Sequence, residues 1–257
     1  MWKTKWNSMK LLNPETNKTW RISVEENNIT TQLENRTPKT IEAKYPDEKA
    51  VQLIMTQLRK GFIYSNANAA IWEPCFHTYL NRIYPGFLPI AANINRNDFY
   101  VFRAAGQFED EVIFHFDSFG KHLDSYHLGK NRLTYRAKLL DDGRIVLNST
   151  YSSYNRMIIE IFYPDGERIE EIQESELLDI FKDTDDHADT FNNFKVSYIG
   201  YDDPYNRGIF KIEDIKSNTL VTEFFNEFIS KNAFCAFSLN KLIVHTDNGV
   251  LSLYNIP

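Results

Sequence analysis

The start of the chain alternates apolar and polar residues with a period of two, which is typical of strands with one buried face. Residues 19–24 and 29–33 follow this pattern on either side of a turn, and a further short strand is expected around residues 40–44. The apolar residues of the next stretch recur instead at helical spacing: Ala50, Leu53, Ile54 and Leu58. We therefore predict a helix that is capped by Asp47 and ended by Gly61.

From about residue 91 onward, strand-like runs alternate with turn signals, and similar residue types recur at a spacing of about 46 residues. This spacing predicts four units that begin near residues 91, 137, 188 and 234, the last of them incomplete. Each unit has room for about four short strands, the size of a propeller blade. A strand from elsewhere, around residues 86–94, would complete the last unit. The alternative is a β-sandwich or an irregular stack of sheets.

The composition fits a folded, strand-rich protein. Hydrophobic residues make up 42% of the chain and aromatic residues 14%, and aromatic residues favour sheet. Cys75 and Cys235 lie far apart, so we interpret them as buried free thiols in a reducing compartment. No apolar stretch approaches the roughly 20 residues of a membrane helix, and the first residues lack the core of a signal peptide. These features predict a cytoplasmic protein with no membrane contact.

The charge is divided unevenly along the chain. Residues 1–66 contain 11 Lys and Arg and 7 Asp and Glu. The whole chain contains 29 Lys and Arg and 35 Asp and Glu, so the remainder contains 18 Lys and Arg and 28 Asp and Glu. The first part is therefore basic and the second part acidic. A nucleic acid partner is expected only through residues 1–66, and the acidic remainder is expected to attract basic surfaces.

Four segments near the start of the chain follow the order of a known small module. They are the strand Asn17-Lys18-Thr19-Trp20-Arg21-Ile22, the hairpin to Ile29-Thr30-Thr31, the helix entry Pro46-Asp47-Glu48-Lys49-Ala50 and the terminal Lys60-Gly61-Phe62. Together they resemble the WGR domain of poly(ADP-ribose) polymerases and of bacterial regulator-like proteins. The resemblance covers residues 9–64 and implies an α+β fold that engages DNA. The Trp-Gly-Arg motif itself is reduced here to Arg36, because the corresponding stretch reads Leu33-Glu34-Asn35-Arg36.

The pattern and the resemblance together predict a fold class. We expect an α+β, WGR-like module of a small antiparallel sheet and one helix over residues 1–66. A packed linker over residues 67–90 is expected to lead to an all-β, propeller-like domain over residues 91–257. A short helix, Ser175–Lys182, is predicted as an insertion in the acidic part of that domain.

The motifs that identify common enzymes are missing from the sequence, which has no phosphate-binding loop, no GxSxG elbow and no HExxH. His115, Asp117 and His122 lie on one predicted hairpin and suit a metal or an acid–base site. The other interpretation is a pair of surface histidines, since the repeat alignment places plain structural residues at the equivalent positions. We expect no enzyme, no cofactor and no bound metal.

The remaining candidates are residues that suit binding. The predicted partner-binding set combines an acidic stretch with two Tyr-Asn-Arg triplets: Asp183, Asp185, Asp186, Asp189, Tyr154, Arg156, Tyr205 and Arg207. The leading hypothesis is a non-enzymatic bacterial protein-binding module, an immunity protein that neutralises a toxin domain with a basic surface. The alternative is a WGR-like nucleic-acid-binding regulator, whose basic residues lie on or near the first hairpin: Lys18, Arg21, Arg36 and Lys39.

Overall fold

A computed structural model describes residues 7–80, 89–104, 110–151, 157–172, 179–181, 188–201, 208–225, 228 and 233–257. Within these residues strands predominate, and α1 (Pro46–Leu58) is the one α-helix that the described ranges contain. No helix in the described part of the chain has the length and apolar character needed to cross a membrane.

The first part of the chain forms strands that pair antiparallel. They are β1 (Ser8–Asn13), β2 (Lys18–Glu25), β3 (Asn28–Leu33), β4 (Lys39–Glu42), β5 (Ile63–Ser65) and β6 (Pro74–Tyr79). Strands β1 to β4 pair antiparallel in sequence order, and β5 pairs with the other edge of β1. Trp20, Ile22 and Ile29 are buried on one face of this sheet together with the apolar residues of α1. Alternation along each strand places polar residues on the other face.

The helix begins two residues earlier than a cap at Asp47 predicts, so the predicted cap is wrong. Pro46 is its first residue, where a missing N–H costs nothing, and Tyr45 occupies the cap position without a side-chain hydrogen bond. Asp47 lies in the first turn, where its carboxylate suits the positive end of the helix dipole. Gly61 follows the helix with φ +82°, as expected for a residue that ends it.

The later strands form four blades of four antiparallel strands each. Blade 1 contains β7 (Ile90–Ala92), β8 (Asp98–Ala104), β9 (Glu111–Asp117) and β10 (His122–Gly129). Blade 2 contains β11 (Arg132–Leu139), β12 (Ile145–Tyr151), β13 (Met157–Tyr163) and β14 (Arg168–Glu171). Blade 3 contains β15 (Ala188–Phe191), β16 (Phe194–Tyr201), β17 (Gly208–Asp214) and β18 (Thr219–Phe225). Blade 4 contains β19 (Ala233–Ser238), β20 (Lys241–Thr246), β21 (Val250–Asn255) and β6.

The blades pack face to face in a propeller-like arrangement. The first strand of blade 1 contacts those of blades 2 and 4, and the first strand of blade 4 also contacts that of blade 3. Buried apolar clusters fill the spaces between blades 1 and 2, between blades 4 and 1, and between blades 3 and 4. The predicted propeller-like region is therefore present, with blades that begin at Ile90, Arg132, Ala188 and Ala233.

Blade 4 is completed by a strand from the stretch that the sequence analysis predicted as a packed linker. Its fourth strand is β6, which pairs with β21 from Leu251↔Thr78 to Leu253↔Phe76. The stretch 86–94, predicted to complete this blade, instead contributes β7 to blade 1. The hydrophobic pattern of one strand does not reveal which strand it pairs with, because a strand with one apolar face can pair with any neighbouring strand of matching register.

The predicted fold class is wrong in its first half, because no distinct α+β WGR-like module is present. Strand β5 pairs with both β1 and β6, so β1 to β4 belong to one nine-stranded sheet with blade 4. The core under α1 also contains Phe228 and Val250 from the end of the chain. These contacts join residues that are distant in sequence, and local periodicity carries no information about them. The boundaries at residues 66 and 90 stay a prediction.

Candidate protein-binding surface

Three tight turns of blades 1 and 4 are hydrogen-bonded to one another at the same end of the strands. They are residues 93–97, 118–121 and 238–240, which we call the three-turn surface. The Ser118 amide donates to the Asn97 carbonyl at 2.7 Å. The Arg96 carbonyl accepts from the Leu239 amide at 3.0 Å and from the Ser238 hydroxyl at 2.8 Å. Two blades therefore present these turns as one connected unit.

Each of the three turns carries an exposed apolar side chain. Phe119 is 78% exposed, and Ile94 and Leu239 are each 39% exposed. Isolated exposed apolar residues are ordinary on protein surfaces, but three on turns that are fixed to one another are informative. Ser118-Phe119-Gly120-Lys121 is one of the turn signals that alternate with the strand-like runs after residue 91, and a Phe within such a turn was the available signal. Sequence reasoning missed these three exposed residues as a group because their turns belong to two different blades.

The turn that carries Phe119 is held rigidly from several directions. One carboxylate oxygen of Asp117 accepts from the amides of Phe119 and Lys121, each at 2.9 Å. The Gly120 amide donates to the Asp117 carbonyl at 3.0 Å. Gly120 has φ +84°, and a Cβ there would lie 2.6 Å from the ring of Phe76 in β6. The exposed ring of Phe119 therefore projects from a backbone with little freedom.

Behind these turns, Asp98 holds the strands together through a buried charged cluster. Arg96 donates to both carboxylate oxygens of Asp98 at 2.8 and 2.9 Å, and His115 lies 2.9 Å from the same carboxylate. Burial opposes ionisation of Asp98, but the hydrogen bonds from His115 and Arg96 outweigh it and hold the pKa of this carboxyl far below its usual range. The His115 ring stacks on Tyr100 with centroids 4.2 Å apart.

Blade 2 is tied to the same unit through its first turn. Asn93 and Asn95 donate their amides to one carboxylate oxygen of Asp141 at 2.9 and 3.1 Å. Arg96 donates to the Asp141 carbonyl at 3.2 Å and lies against Gly143, where φ is +91°. The side chain of Arg96 thus fixes the positions of turns from two blades, and its carbonyl fixes a turn of a third. The unit is preorganised, which suits binding more than a flexible loop does.

The predicted histidine site does not form as the sequence suggested. His115 pairs with Asp98, whereas Asp117 is occupied by amides of its own turn. His122 lies 2.8 Å from the Ser125 hydroxyl, between the rings of Phe114 and Phe116. Across the residues that the structure describes, no group of three His, Cys, Asp or Glu side chains is placed to hold a metal ion.

Most of the predicted partner-binding residues lie outside the described ranges: Tyr154, Arg156, Asp183, Asp185, Asp186, Tyr205 and Arg207. Asp189 is described, and its carboxylate accepts from the amides of Phe237 at 2.6 Å and Thr190 at 2.8 Å. Burial raises the pKa of Asp189, and these two hydrogen bonds oppose that rise. The assignment of this set to a partner stays a prediction.

The four basic residues of the nucleic-acid alternative are all exposed, but the structure does not gather them on one face. Lys18 and Lys39 lie on the face that α1 covers. Lys18 is two residues before Trp20 on the same strand, and Lys39 lies in the same cross-strand row as Ile22. Arg21 lies on the opposite face, where Lys10 is its cross-strand neighbour. Arg36 lies in the turn after β3.

No family model matches the chain, and no curated protein is similar to it in sequence. Comparison with solved structures finds puromycin hydrolase at 10% identity and a TM-score of 0.28, covering 92% of this chain and 33% of the hydrolase. Streptogramin B lyase is 13% identical with a TM-score of 0.27 and 97% and 93% coverage. The WD40 β-propeller domain of Doa1 is 12% identical with a TM-score of 0.24 and 91% and 62% coverage.

Two of these three proteins are enzymes, which contradicts the expectation that the chain is not an enzyme. That expectation is withdrawn. TM-scores of 0.24 to 0.28 assign no activity, substrate or partner to this chain. The propeller-like arrangement rests on the strand order and packing of the four blades themselves.

Proposed function

We propose that this chain is a protein-binding module and that the three-turn surface is its docking site. The observation that supports this proposal is Phe119, which is 78% exposed on a turn fixed by several hydrogen bonds and by the close packing of Gly120 against Phe76. An exposed apolar ring on a loose loop collapses onto its neighbours or loses entropy on binding. A ring on a rigid turn avoids both costs.

Phe119 has the properties of an anchor residue. Aromatic side chains bury a large area at a small cost in rotamer entropy, and a few such residues carry most of the binding energy of an interface. Ile94 and Leu239 extend the apolar contact on the two adjoining turns. Exposed Asn95, Asp141 and Asp142 supply the polar rim that usually surrounds such a centre.

The partner that this surface suits is a folded protein with an apolar pocket and a basic rim. Residues 67–257 carry the excess of acidic over basic residues in this chain, and opposite charges speed the encounter of two proteins. A toxin domain of basic character is one partner of this kind, and the immunity hypothesis stays a prediction. The nucleic-acid alternative has no comparable support, because its basic residues are divided between two faces of the sheet.

Site-specific crosslinking tests the proposal in the source cell. A photoreactive amino acid at position 119 is expected to capture a partner polypeptide that the same group at Val221 does not capture. Val221 is exposed to 39% on β18 and serves as the control. The captured partner is then titrated with the purified full chain.

Phe119→Ser is expected to weaken binding of that partner by about 30-fold or more, the effect of losing a hot-spot side chain. Val221→Ser is expected to leave the affinity unchanged. Equal affinities of the two variants would show that the three-turn surface is not the docking site.

A further inference from the structure

Strand β4 is an open edge of the nine-stranded sheet. It is the last strand in the sheet order, and no described strand pairs with its outer side. The Ala43 amide donates to the Asn27 carbonyl at 2.8 Å, which fixes the alternation of hydrogen-bonded pairs along β3 and β4. Lys39 and Ile41 therefore bond towards β3, whereas the backbone N–H and C=O groups of Thr40 and Glu42 point outward.

A shallow depression of about 250 Å³ lies beside this edge, on the face of the sheet that carries α1. It is lined by the end of β4, by the connection to the helix and by the first turns of the helix: Ile41, Glu42, Ala43, Lys44, Tyr45, Glu48, Lys49 and Gln52. Ile41 is 40% exposed there, and Tyr45 is 51% exposed. The edge thus has free backbone groups, an uncovered apolar residue and space on the side to which that residue points.

We propose that two copies of this chain pair antiparallel through β4, with Ile41 of one copy against Ile41 of the other. Outward-pointing residues of antiparallel strands must meet each other, so Thr40 and Glu42 of one copy can only face Thr40, Glu42 or another outward residue of the second. In the proposed register Thr40 of each copy bonds Glu42 of the other. This gives four backbone hydrogen bonds around a two-fold axis.

The two neighbouring registers are less favourable for specific reasons. A shift in one direction sets Glu42 directly opposite Glu42 of the second copy, and like charges in that position are destabilising. A shift in the other direction sets Pro38 opposite Glu42, where proline has no N–H to donate. The proposed register has neither fault and covers the exposed Ile41.

The charges beside the strand do not oppose a second copy. Lys39 of one copy lies opposite Ala43 of the other, on the helix side, where Glu48 and Lys49 both line the depression. The depression therefore offers side chains of both signs at each end of the paired strands. Two four-residue strands cover much less than the roughly 1,200 Å² of total surface of a stable interface, so association should depend on concentration.

Sedimentation equilibrium of the full chain from micromolar to about millimolar concentration tests the proposal. The wild type is expected to shift from monomer towards dimer over this range. Thr40→Pro removes the outward N–H, which an edge strand tolerates, together with the hydroxyl that lies 2.9 Å from the Thr30 hydroxyl, and is expected to stay monomeric. Thr40→Val keeps that N–H and is expected to dimerise like the wild type. A wild type that stays monomeric throughout, or a Thr40→Pro variant that dimerises equally, would overturn the proposal.

Crosslinking tests the register independently of any effect of proline on the fold. Ile41→Cys places two thiols across the two-fold axis in a non-hydrogen-bonded pair, whose Cβ atoms lie about 4.5–5.5 Å apart. Mild oxidation is expected to give a disulfide-linked dimer, since Cys75 and Cys235 are buried. Thr40→Cys faces Glu42 of the second copy and is expected not to link. A linked Thr40→Cys dimer, or an unlinked Ile41→Cys chain, would overturn the proposed pairing.

Discussion

Gly120 is a single residue that is constrained in two ways, by the backbone conformation of its turn and by the packing of blade 4 against it. Its φ of +84° lies in the left-handed region, and the space a Cβ would need is filled by the ring of Phe76. Gly129 has a similar φ of +99° but nothing within 4 Å of the corresponding position. The two glycines therefore share the backbone requirement and differ in the packing requirement.

We expect Gly120→Ala to lower the free energy of unfolding by about 1–3 kcal/mol more than Gly129→Ala does, because only the first variant forces a shift of Phe76. Both variants share the backbone strain of a non-glycine residue at positive φ, of about 1–3 kcal/mol. Urea unfolding of the two variants and the wild type measures the difference. Equal losses of stability would mean that Phe76 moves aside without cost.

Two histidines, His77 on β6 and His245 on β20, are fully buried in blade 4. Burial lowers the pKa of His77 and of His245 to about 3. Among the described residues, neither ring nitrogen of His245 has a hydrogen-bond partner, whereas His77 lies 2.8 Å from the Ser252 hydroxyl. Between about pH 6.5 and pH 3 the unfolded chain therefore binds protons that the folded chain does not. The stability that these histidines contribute is present above pH 6.5 and is lost as the pH falls.

The variant His245→Leu tests this dependence. Each such histidine contributes about 1.4 kcal/mol per pH unit to the loss of stability between about pH 6 and pH 4. The variant is expected to lose stability less steeply than the wild type by about that amount, and to be no less stable at pH 7, since it removes unsatisfied polar atoms. Urea unfolding at several pH values measures both slopes. Parallel slopes would show that folded His245 takes up a proton.

At the scale of elements, one buried cluster joins β9 of blade 1 to three strands of blade 2. Arg132 is fully buried and donates to Glu111 at 3.1 Å, to Glu160 at 3.2 Å and to the Ser149 hydroxyl at 2.9 Å. The amide and hydroxyl of Thr134 donate to the same Glu111 carboxylate at 2.8 and 2.7 Å. Burial raises the pKa of Glu111, and the charge of Arg132 is the strongest influence against that rise.

Arg132→Met is expected to lower the free energy of unfolding by about 3–5 kcal/mol, because it leaves buried carboxylates without their cation. The loss should shrink at acidic pH, where Glu111 takes up a proton. Arg144→Met breaks a surface pair with Asp142 at 2.7 Å, both partners being at least 40% exposed, and is expected to cost about 0–1 kcal/mol. Thermal or urea unfolding compares the two variants. A similar small loss in both would show that water replaces Arg132.

At the scale of the whole molecule, the two ends of the chain form one sheet. His77 of β6 meets Ser252 of β21 across 175 residues of sequence, and β5 continues that sheet into β1. The core under α1 takes Phe228 and Val250 from the last quarter of the chain. Residues 7–66 therefore share a sheet and a core with the end of the chain.

Residues 1–66 alone are accordingly expected not to fold. The fragment lacks β6, Phe228 and Val250, so it leaves one edge of the sheet open and part of the face under α1 uncovered. Circular dichroism and the dispersion of its NMR amide signals measure the outcome, with the full chain as the reference. A cooperative unfolding transition in the fragment would show that the module is independent.

The site was predictable only in part, and particular residues show why. The turn at 118–121 could be identified from its residue types, because glycine and aspartate favour turns for local reasons. The close packing at Gly120 in this turn depends on Phe76, which lies in a strand of another blade. The pairing of His115 with Asp98 joins two neighbouring strands, and sequence spacing suggested Asp117 instead. The exposed edge of β4 follows from the order of strands in the sheet.

Local features of this protein follow from the amino-acid sequence alone: alternating strands, one amphipathic helix, turns at polar residues and a repeat of about 46 residues. These features are set by interactions between residues close in sequence, so periodicity reveals them. The pairing of β6 with blade 4, the extension of the same sheet by the first strands and the hydrogen bonds between three turns of two blades are visible only in the folded structure. Each of these depends on which distant surfaces meet, and many strands with one apolar face are equivalent partners until packing selects one.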